Sequence, residues 1–198
     1  MILWTIQTSE AWKRLQEKGV LRADDGRISE DMRLGYGWMA NQMRRRLGPP
    51  PMERAALLWA WYQWSGVKRK RPDLRSAGHL PAGSRGVRIE FEIDDGRVLL
   101  SDFDLWHYVL NYWYLPVSEA DGDAFLRELQ ERGLSFYPAK PVPDPGYHGK
   151  IERSWERIFD LQWTEEALVH PRERKSIQAC IWELRWEQVK RADQFIAR

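Results

Sequence analysis

The apolar positions of the chain change period several times, and each change predicts an element. Ile2 to Ile6 reads as a short strand that turns polar at Gln7 and Thr8. Thr8 or Ser9 then caps a helix to about Lys18, with Ala11, Trp12 and Leu15 on one side and Gly19 at its stop. Tyr36, Met39, Met43 and Leu47 recur at helical spacing, and Gly48-Pro49-Pro50-Pro51 breaks that second helix. Leu57 to Trp64 is short, aromatic and bounded by turn residues, which favours a strand. Val87, Ile89, Phe91 and Ile93 alternate with Arg88, Glu90 and Glu92, predicting a strand with one wet face, and Asp94-Asp95-Gly96 predicts a hairpin turn into Arg97-Leu100.

Three further helices follow. The first has Ser101 as N-cap and Asp104 in a capping-box position, with a stripe of Trp106, Val109, Leu110 and Trp113, and Pro116 ends it. Another starts at Asp121 or Asp123, carries Phe125, Leu126 and Leu129, and closes at Gly133. The third has Asp144 as cap, Pro145 at its first position, and Ile151, Trp155, Ile158 and Phe159 inward. From Ser176, the spacing of Ile177, Ile181, Leu184 and Ala192 is helical, although its first part also reads as strand. No repeat, low-complexity tract or linker divides residues 1–198. The expectation is a single compact α+β domain: a mostly antiparallel sheet with several packed helices, strands mostly early and helices mostly late.

Composition narrows the function classes. Hydrophobic residues make up 43% and charged residues 30% of 198, a globular balance. The 31 Lys and Arg against 29 Asp and Glu leave a net charge of +2, so any attraction to polyanions must come from local clustering. Cys180 is the only cysteine, which excludes an internal disulfide and a thiolate zinc cage and fits a reducing, cytoplasmic setting. The longest wholly apolar run, Ala55 to Tyr62, falls far short of a membrane span, and no signal peptide is visible. The 12 tryptophans recur in amphipathic segments and are expected in the core, with a few available for stacking on a base or nicotinamide ring.

Four places could hold chemistry. At Gln7-Thr8 a strand end meets a helix N-terminus, whose free N–H groups suit an amide, carboxylate or phosphate; the alternative is a plain helix cap. A long basic loop at about 66–86 includes Lys68, Arg69, Lys70, Arg71 and Arg75, with Asp73 able to orient its arginines, and it suits the phosphates of a nucleotide or nucleic acid if it is not simply solvated. Asp102, Asp104 and His107 share the start of one helix, a spacing that suits a general acid–base pair, two ligands of a metal, or simply helix-stabilising acids. Glu183, between Trp182 and Trp186, is either a partly desolvated acid or part of a polar face. His79, His148 and His170 fall in expected loops, so no metal site is predicted. Walker A, GxGxxG and GxSxG patterns are absent.

Two resemblances add to this. LWTIQTSEAW, WAWYQW, KRPDLR, GHLP, LLSDFDLWHYVLNYWYLP, SWERIFDL and SIQACIWELRWEQV together resemble, over nearly the whole chain, an uncharacterised bacterial family among the numbered domains of unknown function, DUF 3841. That resemblance implies no activity. LWTIQTSEAWKRLQEKGVL also resembles the first motif of ADP-ribosyltransferase-like proteins, in which a strand ends in His or Arg and a small residue before a helix and a Gly-Leu exit. In those families the corner holds the ribose and nicotinamide amide of NAD, and a late glutamate stabilises an oxocarbenium-like centre. The resemblance implies NAD as substrate, Gln7 in the place of the His or Arg, Thr8 as its amide-binding neighbour, Glu183 as the late acid, and Tyr62 or Tyr108 as the aromatic residue of the middle motif. Gln7 can hydrogen-bond a ribose hydroxyl but carries no charge.

Overall fold

In the computed structural model, which describes residues 1–53, 55–135, 140–165 and 168–198, the opening strand and helix form as expected. Strand β1 (Ile2–Thr8) runs into α1 (Ser9–Lys18). Thr8 is the cap, its Oγ1 accepting from the Ala11 N–H at 3.2 Å. Gly19 closes α1 at φ 70°, a left-handed conformation that a glycine adopts without a Cβ penalty, and its N–H donates to the Leu15 carbonyl. The short strands β2 (Val20–Leu21) and β3 (Ala23–Asp24) lead to α2 (Arg33–Leu47). Then come β4 (Ala55–Ala56), β5 (Leu58–Gln63), β6 (Arg85–Glu92), β7 (Leu99–Asp102), α3 (Phe103–Leu110), α4 (Glu119–Glu131) and α5 (Pro145–Trp155). The chain ends with β8 (Ile177–Ile181), β9 (Leu184–Arg185) and β10 (Val189–Ile196).

Six strands make one antiparallel sheet in the order β10-β6-β1-β5-β8-β7. Two apolar clusters lie on its faces. Leu3, Ile89, Phe91, Ala60 and Ile181 meet Ala11 and Leu15 of α1. On the other face Leu99, Cys180 and Trp59 meet a helical layer centred on Met39, Trp106, Val109 and Trp155. Trp155 is wholly buried and still satisfied, because its Nε1–H donates to the Trp113 carbonyl at 2.6 Å. Four tryptophans, Trp38, Trp106, Trp155 and Trp182, are buried, and Trp186 is exposed.

Several expectations are corrected. β6 and β7 do not form a hairpin: β6 lies between β1 and β10, while β7 pairs with β8 at the far edge. The Asp94-Asp95-Gly96 segment folds as a 3-10 turn, with Asp94 Oδ1 accepting from the Gly96 N–H, and redirects the chain instead of reversing it. The segment from Ser176 is strand, not helix. β8 is buried along its full length between β5 and β7, and a short apolar run buried on both sides loses the alternation that marks a strand. The sheet therefore draws on both ends of the chain. Ser101 belongs to β7, and Asp102 caps α3 in its place; α3 stops at Leu110, near a left-handed Tyr112 at φ 61°. α4 begins at Glu119 behind Ser118, before either expected aspartate. The face of β6 expected to be wet is partly covered, since Arg88 is only 7% exposed.

Among the described residues no helix is long and apolar enough to cross a membrane.

Candidate functional site

The Gln7-Thr8 corner opens onto a cavity because β1 parts from its neighbour. β1 pairs with β6 over its full length, from Ile2↔Glu92 to Thr8↔Gly86, but with β5 at Trp4↔Trp61 alone. Beyond that point side chains bridge the strands: Thr5 Oγ1 donates to the Trp59 carbonyl at 2.8 Å, and Gln7 Nε2 donates to Thr5 Oγ1 at 2.7 Å. A cavity of about 430 Å³ fills the gap between Gln7-Thr8 on one side and Leu57, Leu58 and Trp59 on the other.

Its wall is mixed, with Arg14, Arg22, Asp24 and Ser29 beside Gln7 and Thr8 among hydrocarbon. Ala11, Leu21, Ile28 and Met32 supply hydrocarbon. The Gln7 amide N–H is used in the bond to Thr5, and Gln7 lines the gap. Arg14, one turn along α1 from Ala11, lines the cavity with its Nε buried and without a hydrogen-bond partner. Tyr36 reaches in from α2, its hydroxyl accepting from Trp59 Nε1–H at 3.2 Å, so its own proton is free to donate. Burial pushes the Tyr36 hydroxyl above its usual pKa and keeps it protonated. A concave site in which hydrocarbon meets several convergent polar groups suits a small ligand.

Glu183 is not in this cavity. Its side chain is 3% exposed and borders a smaller cavity of about 190 Å³ with Arg97 and Trp182. Arg22 Nε and Nη2 donate to Oε2 at 2.9 and 2.7 Å, and Arg185 Nε donates to Oε1 at 2.7 Å. Burial alone would raise the carboxyl, but the Arg22 and Arg185 hydrogen bonds outweigh it and hold the pKa below the usual range. Arg22 also lines the Gln7 cavity, so Glu183 reaches that site only through this guanidinium.

Arg71, Asp73 and Arg75 lie elsewhere, around a cavity of about 740 Å³ between the basic loop and β1 and β6. Asp73 accepts from Arg75 Nε and Nη2 and from the Arg75 backbone N–H, and these bonds hold its carboxyl well below the usual range. Asp102 is buried and ion-paired with Lys175. His107 is exposed on α3, with Nδ1 3.1 Å from the Phe103 carbonyl. His148 lies within α5, not in a loop, and its Nδ1 is 2.7 Å from the Tyr112 hydroxyl. Tyr62 packs at the edge of the sheet core and Tyr108 against Trp113; neither lines the Gln7 cavity. Cys180 is buried and its thiol pushed well above its usual pKa, a core side chain. Among the described residues no three His, Cys, Asp or Glu side chains gather to hold a metal ion.

The structure thus brings Gln7 and Thr8 together and adds Arg14, Arg22 and Tyr36, which sequence reasoning missed. Arg14 was within reach, because it sits three residues after Ala11 on the face of α1 that turns to the sheet. The model of a family described as a domain of unknown function, DUF3841, matches residues 2–190. No curated protein and no solved structure matches the chain.

Proposed function

The chain belongs to the DUF3841 family, and we propose that it binds a nucleotide of the NAD class in the Gln7 cavity and is an ADP-ribosyltransferase-like enzyme. The observation that carries this is the parting of β1 from β5, which leaves a cavity lined by Arg14, whose Nε is buried and without a hydrogen-bond partner. A guanidinium nitrogen without a hydrogen-bond partner suits a phosphate group of the ligand. The hydrocarbon of Leu21, Ile28 and Met32 suits a nucleoside, and the Gln7 amide and the Tyr36 hydroxyl suit ribose hydroxyls or a carboxamide.

Glu183, the acid that the motif resemblance implies, contributes in this reading by fixing Arg22 at the cavity wall. The test is incubation with NAD, followed for nicotinamide release and for ligand-induced thermal stabilisation. Release and a raised melting temperature, both lost on Arg14→Ala, support the reading; intact NAD and an unmoved melting temperature contradict it.

A further inference from the structure

The 740 Å³ cavity lies apart from the Gln7 site. Trp4 and Gln7 are three apart on β1, so their side chains point to opposite faces of the sheet. Six cations and two carboxylates line this second cavity. The carboxylates are already engaged: Asp73 by Arg75, and Glu90 Oε2 by the Trp4 Nε1–H at 2.8 Å. Lys68, Arg69, Lys70 and Arg71 are exposed and form no ion pair among the described residues. Beneath them Arg88 is 93% removed from water, its Nη1 donating to the Pro72 carbonyl at 2.5 Å and its Nη2 to Asp193 at 2.6 Å, while its Nε is buried without a partner.

The loop that presents these cations is built, not loose. Trp64 N–H donates to the Lys70 carbonyl and Ser65 N–H to the Arg69 carbonyl, folding the segment back on itself. Gly66 and Val67 N–H donate to the Lys175 and Glu173 carbonyls, and Gln63 Nε2 donates to the Arg172 and Lys175 carbonyls. Four consecutive cations are therefore held at one place above the sheet.

Beside them the sheet face is aromatic and only half covered. Trp4 and Trp61 are register partners on adjacent strands and share that face. Trp61 meets Phe103 with ring centroids 4.9 Å apart. All three rings are partly exposed. A row of half-exposed rings along a sheet, flanked by exposed cations, provides stacking surfaces for bases and contacts for the phosphates that join them. A duplex hides its bases from such rings, so the face suits a single strand.

We propose that this face binds single-stranded nucleic acid, with phosphates on Lys68–Arg71 and bases stacked on Trp4, Trp61 and Phe103. The proposal does not depend on the Gln7 cavity. The test is fluorescence anisotropy of labelled single-stranded oligonucleotides of about 12 nucleotides, RNA and DNA, across a salt series. A duplex of the same length and heparin serve as competitors, and intrinsic tryptophan fluorescence is read in parallel. The expected result is single-strand binding that quenches tryptophan and that a duplex or heparin of equal charge competes for poorly.

The exposed triple variant Lys68→Ala/Lys70→Ala/Arg71→Ala should keep its fold, bind about tenfold or more weakly, and lower the log-log salt slope by about 2. Phe103→Ala should weaken single-strand binding by about fivefold or more at an unchanged salt slope. Absence of binding, equal affinity for heparin or duplex, or a triple variant that binds as well as the parent would overturn the proposal.

Discussion

Lys175 Nζ donates to Asp102 Oδ2 at 2.7 Å, and the two side chains are 0% and 3% exposed. This pair ties the start of α3 to the segment that enters β8. Asp102 does more than balance the charge, since its Oδ1 also accepts from the Asp104 and Leu105 N–H groups at the head of α3. Asp102→Ala removes that cap and strands a buried ammonium, so it should destabilise the protein by about 3–5 kcal/mol in urea unfolding. It should leave ligand affinity at the Gln7 cavity unchanged where the protein is still folded. A loss of under about 1 kcal/mol would mean that the pair is not buried as described.

Glu183 predicts an acid-side loss of stability. Its folded-state pKa is held below the value it has in the unfolded chain, so the unfolded chain binds the proton first as pH falls. The contribution is complete above the ordinary glutamate pKa of 4.5 and is lost as pH drops through the lowered folded value. Glu183→Gln should cost about 1–3 kcal/mol near pH 7, and the gap to the parent should narrow toward pH 3 in chemical denaturation. A gap that does not change with pH would contradict the arginine clasp.

The elements legible from the sequence are those with a local signal. The α1 cap and stop at Thr8 and Gly19, the Asp144-Pro145 start of α5, and the alternation of Val87, Ile89 and Phe91 all announce themselves within a few residues. What was not legible depends on contacts far along the chain. β8 looked equally helical because both of its faces are buried, and only its partners Leu58 and Leu99 make it a strand. The pairing of β6 with β10 instead of β7 is likewise decided across about a hundred residues of sequence. At the candidate site, the helix cap made Gln7 and Thr8 visible. Tyr36 looked like core because the periodicity of α2 does not show that β1 and β5 part in front of it. Glu183 looked like a lone acid between tryptophans, since nothing near it in sequence points to Arg22 as its partner.

Gly66 should be intolerant of any side chain. Its φ is 71°, and a Cβ there would lie 2.7 Å from the Glu173 carbonyl oxygen. Gly66→Ala should lower stability by about 1–3 kcal/mol and shift the seat of the Lys68–Arg71 segment. Thermal unfolding reads the first effect, and the rate of limited proteolysis within residues 66–75 reads the second. A variant as stable and as resistant as the parent would contradict the anchoring of this loop.

Calorimetric titration with NAD reads whether the parted strands β1 and β5 hold a nucleotide. Saturable one-site binding is expected, weakened about tenfold or more by Arg14→Ala, through loss of a charge-assisted contact of about 1.5–3 kcal/mol, and by Gln7→Ala in the same direction. Lys68→Ala/Lys70→Ala/Arg71→Ala should bind NAD like the parent. No heat of binding, or binding that survives Arg14→Ala and disappears with the basic-loop variant, would contradict it.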